Sequence, residues 1–375
     1  MPVKELHQLF KVNLGIKPNE TVLVFTDKPT AREKIDEPEA RRRELLRDIA
    51  RFAEETARGL SKEVRFLEFP SLGEHGKEPP EALLRLAFGD GAVDALKEDG
   101  LLNSIRRNTA KPETIDKAKR VINRYKRSGV DAVVALSNFS TSHTMFRHFL
   151  TTICQVRYVS MPLFDMEMFQ GPMRTDYRKM SKRTKAVATE LKNAASVKIT
   201  TPAGTEITFS TQGRRAESDT GMLTKPGSFG NLPAGEAYLA PVEGTAQGKL
   251  VIEWGPTHKL DSPITVTVKD GVAVKVSGKD PYARVLRGKL KEHSDNGNIA
   301  ELGIGTNPLA LRPDNILESE KILGTVHIAF GDNSSFGGTV STPFHQDFVY
   351  FKPTVELTLK DGSHTELLRD GKLLV

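Results

Sequence analysis

The run VDAVVALS, residues 130–137, decides the fold that we predict for the first half of the chain. A continuous apolar run of this length is typical of a strand buried on both faces, as in parallel sheets that are covered by helices. The stretches TVLVFTD at 21–27 and VRFLEF at 64–69 also read as strands, and a long amphipathic stretch from 37 to 60 separates them. This alternation predicts an α/β domain with a mostly parallel sheet.

The second half changes to hairpin patterns after a helix that we predict over 176–194. Strand-like segments in this half are joined by the turn signals PAG and DG, which favour antiparallel hairpins. One further helix is predicted near 280–292. We therefore predict two domains, an N-terminal α/β domain over 1–190 and a β-rich α+β metal-binding domain over 191–375.

The composition is ordinary for a soluble globular protein, with 38% hydrophobic and 27% charged residues in a chain of 375. The net charge is +6, but acidic and basic residues are interleaved at helical spacing, so the sequence does not favour nucleic-acid binding. No apolar run approaches the roughly 18 residues of a membrane span, and no signal-peptide pattern is visible. The single cysteine, Cys154, indicates a reducing compartment. We predict a cytoplasmic protein without membrane partners.

Five ionisable side chains in the second half interrupt segments that are otherwise apolar or rich in glycine. They are Glu236, Glu301, His327, His345 and Asp347. Burying a lone charge costs free energy, so such groups are normally paired with one another or bound to metal. Taken singly, each could be a structural residue, and the HxD pair could be a simple hydrogen bond. Together, two imidazoles and three carboxylates suit a divalent metal, or two if one carboxylate bridges.

Several motifs around these residues resemble one known family. The segments NLPAGEAY, ELGIGTNP, ILESEKILGTVHIAFGD and FHQDFV are similar to the metallopeptidase family of aminopeptidase T and aminopeptidase S. The resemblance implies a two-domain homodimer that removes N-terminal residues from peptides through a water activated by two divalent ions, zinc or cobalt, with manganese or iron as alternatives. It also implies that all five residues are metal ligands and that Glu301 acts as the general base.

One position departs from that family, because Ser334 stands where the family has a tyrosine, seven residues after the first histidine of the set. The loss puts peptide turnover in doubt and leaves open a metal-binding relative that is not a peptidase. The same fold family also resembles the 2,5-dihydroxypyridine dioxygenases, which hold one iron with two histidines and one aspartate. His345 and Asp347 match that set, Glu301 falls where its first histidine would be, and His327 could complete a triad. Because the glutamate favours hydrolysis, the sequence predicts a metallo-aminopeptidase, with the ring-cleaving dioxygenase as the alternative.

Overall fold

The computed structural model describes residues 2–375, which form two compact units. The first unit runs to Arg174 and includes Gly221–Leu232, and the second comprises Thr175–Thr220 and Pro233–Val375. The helices are α1 Val3–Gln8, α2 Glu37–Arg58, α3 Glu81–Phe88, α4 Asp90–Glu98, α5 Leu102–Arg106, α6 Pro112–Tyr125, α7 Met145–Thr152, α8 Tyr177–Asn193, α9 Tyr282–Glu292 and α10 Ile316–Ser319. The strands are β1 Thr21–Lys28, β2 Glu63–Pro70, β3 Ala132–Ala135, β4 Arg157–Ser160, β5 Ala194–Thr200, β6 Glu206–Ser210, β7 Glu217–Asp219, β8 Phe229–Asn231, β9 Glu236–Leu239, β10 Gln247–Trp254, β11 Lys259–Lys269, β12 Val272–Ser277, β13 Ile299–Gly305, β14 Val326–Gly331, β15 His345–Tyr350, β16 Thr354–Leu359, β17 His364–Arg369 and β18 Lys372–Leu373.

The first unit contains a five-stranded parallel sheet in the order β2-β1-β3-β4-β8. Strand β3 lies in the centre and is fully buried, as the apolar run VDAVVALS predicts. The long helix α2 begins at a capping residue, because the Asp36 carboxylate accepts a hydrogen bond from the Glu39 backbone N–H. The predicted α/β class of this half is confirmed.

The second unit consists mainly of two antiparallel sheets. One has eight strands in the order β12-β11-β10-β6-β5-β16-β17-β18, and the other has five in the order β15-β14-β13-β9-β7. The hairpin β11–β12 turns at Asp270 and Gly271, whose φ angles of 49° and 78° are those of the two central residues of a tight hairpin turn. The predicted DG turn and the β-rich class are therefore confirmed.

One apolar core joins the two sheets of the second unit. Alternate residues of β13 and β14, among them Leu302, Ile304, Ile328 and Phe330, enter this core. The residues between them lie on the opposite face of the five-stranded sheet, because side chains alternate along a strand. That opposite face carries the candidate site. Over residues 2–375, no helix is long and apolar enough to cross a membrane.

Candidate metal centre

The structure places all five predicted site residues on one face of the five-stranded sheet, on four neighbouring strands. Glu236 begins β9, Glu301 lies on β13, His327 on β14, and His345 and Asp347 on β15. The strand register sets their spacing. Ala329 of β14 is paired with Glu301 on one side and with Asp347 on the other. Because alanine has only a methyl group, it leaves room for the two carboxylates to converge above it.

A glycine of the neighbouring strand makes room for the His327 ring. Gly303 of β13 is paired with His327, and a Cβ added to Gly303 would lie 2.7 Å from His327 Cδ2 and still closer to Cε1 and Nε2. Any side chain at this position would therefore displace the imidazole. The sequence analysis did not predict this role for the glycine-rich segment GIGTNP, since the pairing of residues 24 positions apart is visible only in the folded sheet.

The donor atoms gather into two groups that share one carboxylate. His327 Nε2 lies 3.2 Å from Glu236 Oε2 and 3.5 Å from Glu301 Oε1. His345 Nε2 lies 3.4 Å from Glu301 Oε2 and 3.4 Å from Asp347 Oδ2. We call Glu236, Glu301 and His327 the inner group, and Glu301, His345 and Asp347 the outer group; within each, one donor atom per residue lies within 4.8 Å of the others.

The triad of His327, His345 and Asp347, which the alternative interpretation offers as an iron site, does not bring its donor atoms within 4.8 Å of one another in the part of the chain that the structure describes. The His327 ring lies over Gly303, on one side of Glu301. His345 and Asp347 belong to strand β15 and lie on the other side of Glu301. Glu301 stands between the two histidines and is the residue that both groups require.

His327 Nδ1 and Asp347 Oδ1 are buried polar atoms of the site without a hydrogen-bond partner. His327 Nε2 and Glu236 Oε2 lie 3.2 Å apart and face each other. Buried polar atoms are normally satisfied, so the open oxygen of Asp347 indicates a missing partner in the outer group. Carboxylate oxygens and imidazole nitrogens together are ligands for divalent zinc, iron, cobalt and manganese. The donor set therefore fits a divalent cation.

The surroundings of His345 orient its ring for metal binding. His345 Nδ1 is 2.8 Å from the carbonyl oxygen of Asp332, so this nitrogen carries the proton and donates it to the carbonyl. Nε2 then faces Glu301 and Asp347 and is the nitrogen that would bind a metal. Such an outer hydrogen bond is the usual way in which a protein fixes a metal-binding histidine. The His345 side chain keeps 27% of its surface exposed, which leaves the outer group open to a ligand.

An aromatic wall adjoins the outer group. The ring of Phe336 packs edge-on against the His345 ring at 6.0 Å between centroids and against Tyr238 at 5.8 Å. Phe336 belongs to the connection between β14 and β15, and the buried Asn333 holds this connection in place. The Asn333 side chain accepts a hydrogen bond from the Val340 backbone N–H and donates one to Glu243.

The sequence analysis missed two ionisable residues of the site, Glu320 and Lys321. Lys321 has only 1% of its side chain exposed, and its Nζ lies 2.6 Å from Glu236 Oε1 and 2.9 Å from Glu320 Oε2. In the segment ILESEKILG both residues look like the charged end of an exposed helix. The only available signal was that an apolar strand with a buried histidine follows directly after them.

The site shifts the pKa values of its members in opposite directions. Burial alone would lower the pKa of His327 and His345, but the neighbouring carboxylates outweigh burial and raise it well above its usual range. Burial alone would raise the pKa of Glu236, but Lys321 and His327 outweigh burial and lower it. For Glu320 burial dominates and raises the pKa to about 8, so this carboxyl is mostly protonated at neutral pH. A divalent cation competes with protons for the imidazole nitrogens.

Ser334, where the sequence analysis notes the absence of a tyrosine, lies in the connection that carries Phe336. It is exposed, and its hydroxyl donates to the Asp332 carboxylate at 3.0–3.2 Å. Asp332 therefore contacts both residues: its carboxylate accepts a hydrogen bond from Ser334, and its carbonyl oxygen accepts one from His345 Nδ1.

Comparison with known proteins points to one family. A sequence model of the NicX family, described as 2,5-dihydroxypyridine 5,6-dioxygenase, matches residues 102–374. The curated 2,5-dihydroxypyridine 5,6-dioxygenase of Pseudomonas putida is 26% identical over 182 residues, which cover 44% of this chain and 52% of that protein. The chain thus spans about half the length of this curated relative.

Two solved structures have the same fold. A structure of the dioxygenase from Pseudomonas putida aligns over 100% of this chain and 97% of its own, with a TM-score of 0.68 and 20% identity. A structure of wild-type AmpT from Thermus thermophilus aligns over 100% of this chain and 99% of its own, with a TM-score of 0.55 and 16% identity. At these identities both comparisons establish the fold alone.

These findings contradict the main functional prediction. The resemblance to the aminopeptidase T family is confirmed for the fold, but the predicted aminopeptidase, hydrolase and protease function is wrong, because the family match covers most of the chain and names a dioxygenase. The motifs therefore indicated the fold, and they did not indicate the reaction.

Proposed function

Since the chain belongs to the 2,5-dihydroxypyridine 5,6-dioxygenase family, we propose that it is a metal-dependent dioxygenase that opens the ring of a dihydroxylated pyridine or a related aromatic compound. The observation that carries this proposal is the outer group. Glu301, His345 and Asp347 present three donor atoms close together, and the hydrogen bond from His345 Nδ1 to Asp332 keeps Nε2 free for a metal.

We place one divalent ion, Fe(II) in the first instance, in the outer group. A redox-active ion supplies the electron transfer that dioxygen needs in order to react with an aromatic ring. The donor set differs from two histidines and one aspartate, because Glu301 takes the place of one imidazole. The site therefore carries one more negative charge than such a triad, and this charge favours the higher oxidation state of a bound ion.

Phe336 and Tyr238 support an aromatic substrate. The Phe336 ring packs edge-on against the His345 ring and also against the Tyr238 ring, so a planar ring that approaches the outer group meets an aromatic wall. A pocket with an apolar wall and a few polar groups is the usual environment of a small-molecule ligand. We propose that Phe336 packs against the substrate ring and orients its hydroxyl groups towards Glu301 and Asp347.

The inner group is placed to hold Glu301 in position. His327 Nε2 lies between Glu236 Oε2 and Glu301 Oε1, and the two carboxylates raise the pKa of His327 well above its usual range despite its burial. We propose that the protonated Nε2 attracts both carboxylates and thereby keeps the second oxygen of Glu301 turned towards the outer group.

The test is an oxygen-uptake assay of protein loaded anaerobically with Fe(II). We expect uptake with 2,5-dihydroxypyridine or with another member of a panel of dihydroxylated pyridines and benzenes, and both atoms of ¹⁸O₂ in the ring-opened product. The variants His345→Ala and Asp347→Asn should abolish uptake. Their matched controls, His364→Ala and Asp361→Asn, change exposed residues outside the site and should retain it. Iron-loaded protein that consumes no oxygen with any member of the panel would refute the proposal.

A further inference from the structure

Lys321 places a positive charge inside the candidate metal centre. Its Nζ is buried and lies 2.6 Å from Glu236 Oε1, while the second oxygen of that carboxylate lies 3.2 Å from His327 Nε2. The ammonium group therefore holds one side of the carboxylate that belongs to the inner group. A lysine at this depth is normally kept only when it is paired, and here Glu236 and Glu320 are its partners.

Donor atoms alone would allow two metal ions. The inner and outer groups each offer three donors, and Glu301 could bridge them with its two oxygens. A divalent ion in the inner group would bind Glu236 through Oε2 while the ammonium of Lys321 binds Oε1 of the same carboxylate. Two like charges would then share one small anion in a buried place, where water screens their repulsion poorly.

We propose that Lys321 is a built-in cation that takes the place of a second metal ion. The chain then binds one divalent ion, in the outer group, and Lys321 excludes another from the inner group. This inference rests on the metal site of the proposed function. It adds that Glu236 and His327 are not ligands, and that the number of bound metal ions is set by one residue of the chain.

The experiment counts metal ions in the full-length protein without reference to activity. Metal-free protein is titrated with Mn(II), the bound metal is measured after desalting, and the electron paramagnetic resonance spectrum is recorded. We expect one ion per wild-type chain with an isolated Mn(II) spectrum. The variant Lys321→Met should bind two ions, and their bridge through Glu301 should give an exchange-coupled spectrum. The double variant Lys321→Met with Glu236→Gln should bind one ion again, as should the control Lys279→Met at an exposed position.

Each outcome has a distinct meaning. Two ions in the wild-type protein, or a single ion in folded Lys321→Met, would overturn the inference. No ion in the wild-type protein would instead refute the metal site of the proposed function. If Lys321→Met does not fold, Glu236→Gln decides: it should keep one ion, whereas loss of the ion would make Glu236 a ligand and overturn the inference. Asp347→Asn should lose the ion in every case.

Discussion

Gly303→Ala is the substitution whose effect the structure defines most sharply. An added Cβ would lie 2.7 Å from His327 Cδ2 and closer to two other ring atoms, and no real Cβ tolerates such contacts. The ring has nowhere to go without leaving Glu236 and Glu301, because it is 1% exposed. Overpacking of this kind costs about 1–3 kcal/mol. For a unit of this size each kcal/mol lowers the Tm by about 2–4 °C, so we expect a fall of several degrees.

The assay is thermal unfolding of metal-free protein, with a matched control and a double-variant test. Gly288 lies in helix α9 with nothing within 4 Å of an added Cβ, so Gly288→Ala should stabilise the protein by about 0.5–1 kcal/mol. In a His327→Ala background, Gly303→Ala should cost little, because the ring that it strikes is gone. The coupling between the two sites should then be about 1–3 kcal/mol. Gly303→Ala with the wild-type Tm would refute the placement of the His327 ring.

Three further predictions concern pH, substrate binding and the loop above the site. Folding raises the pKa of His327 and His345 above the usual histidine value of about 6.5. Their stabilisation of the metal-free protein is therefore complete below about pH 6.5 and is lost as the pH rises through the raised pKa. Urea midpoints across this range should fall with rising pH, and Mn(II) affinity should rise. Phe336→Ala should raise the KM for the aromatic substrate without changing the metal content, because it removes the ring beside His345. The control Phe351→Ala removes a ring that packs on Trp254 and should leave the KM unchanged. A Phe336→Ala variant with the wild-type KM would exclude the proposed aromatic wall. Asn333→Ala should lower stability by about 1–3 kcal/mol, as measured in urea, because it leaves buried partners unsatisfied; no loss would show that the loop is held by other contacts.

The hydrophobic pattern was sufficient to predict the fold class. The run 130–137 and the DG turns report on burial and on local backbone geometry, which neighbouring residues largely determine. The cost of burying charge also singled out the five residues that the structure gathers on one face. The same argument did not identify Lys321 as a site residue. In ILESEKILG it follows polar residues, and no neighbouring residue indicates that its ammonium group is buried.

The reaction could not be predicted from the same residues. The pattern of Glu301, His327, His345 and Asp347 fits two chemistries on one scaffold, and the sequence does not reveal which donors meet. The meeting of donors depends on the strand register: Gly303 pairs with His327 and thereby separates this ring from His345. Gly303 and His327 are 24 positions apart, so their contact depends on how the strands pair and cannot be predicted from the neighbouring residues of either one.

The strand register also governs how this protein can change. A shift of one residue in β13, β14 or β15 would turn every donor of that strand into the apolar core, so insertions within these strands would destroy the core and the site together. The connection between β14 and β15 is restricted unevenly: a Cβ added to Gly338 would strike the buried Asn333 side chain, and the Val340 backbone N–H is bound by Asn333, whereas Ser334 and Ser335 are exposed. Substitutions at residues 334–336 can therefore change the surface beside His345 while the donors keep their places, which makes this short segment the starting point for altering what the proposed site accepts.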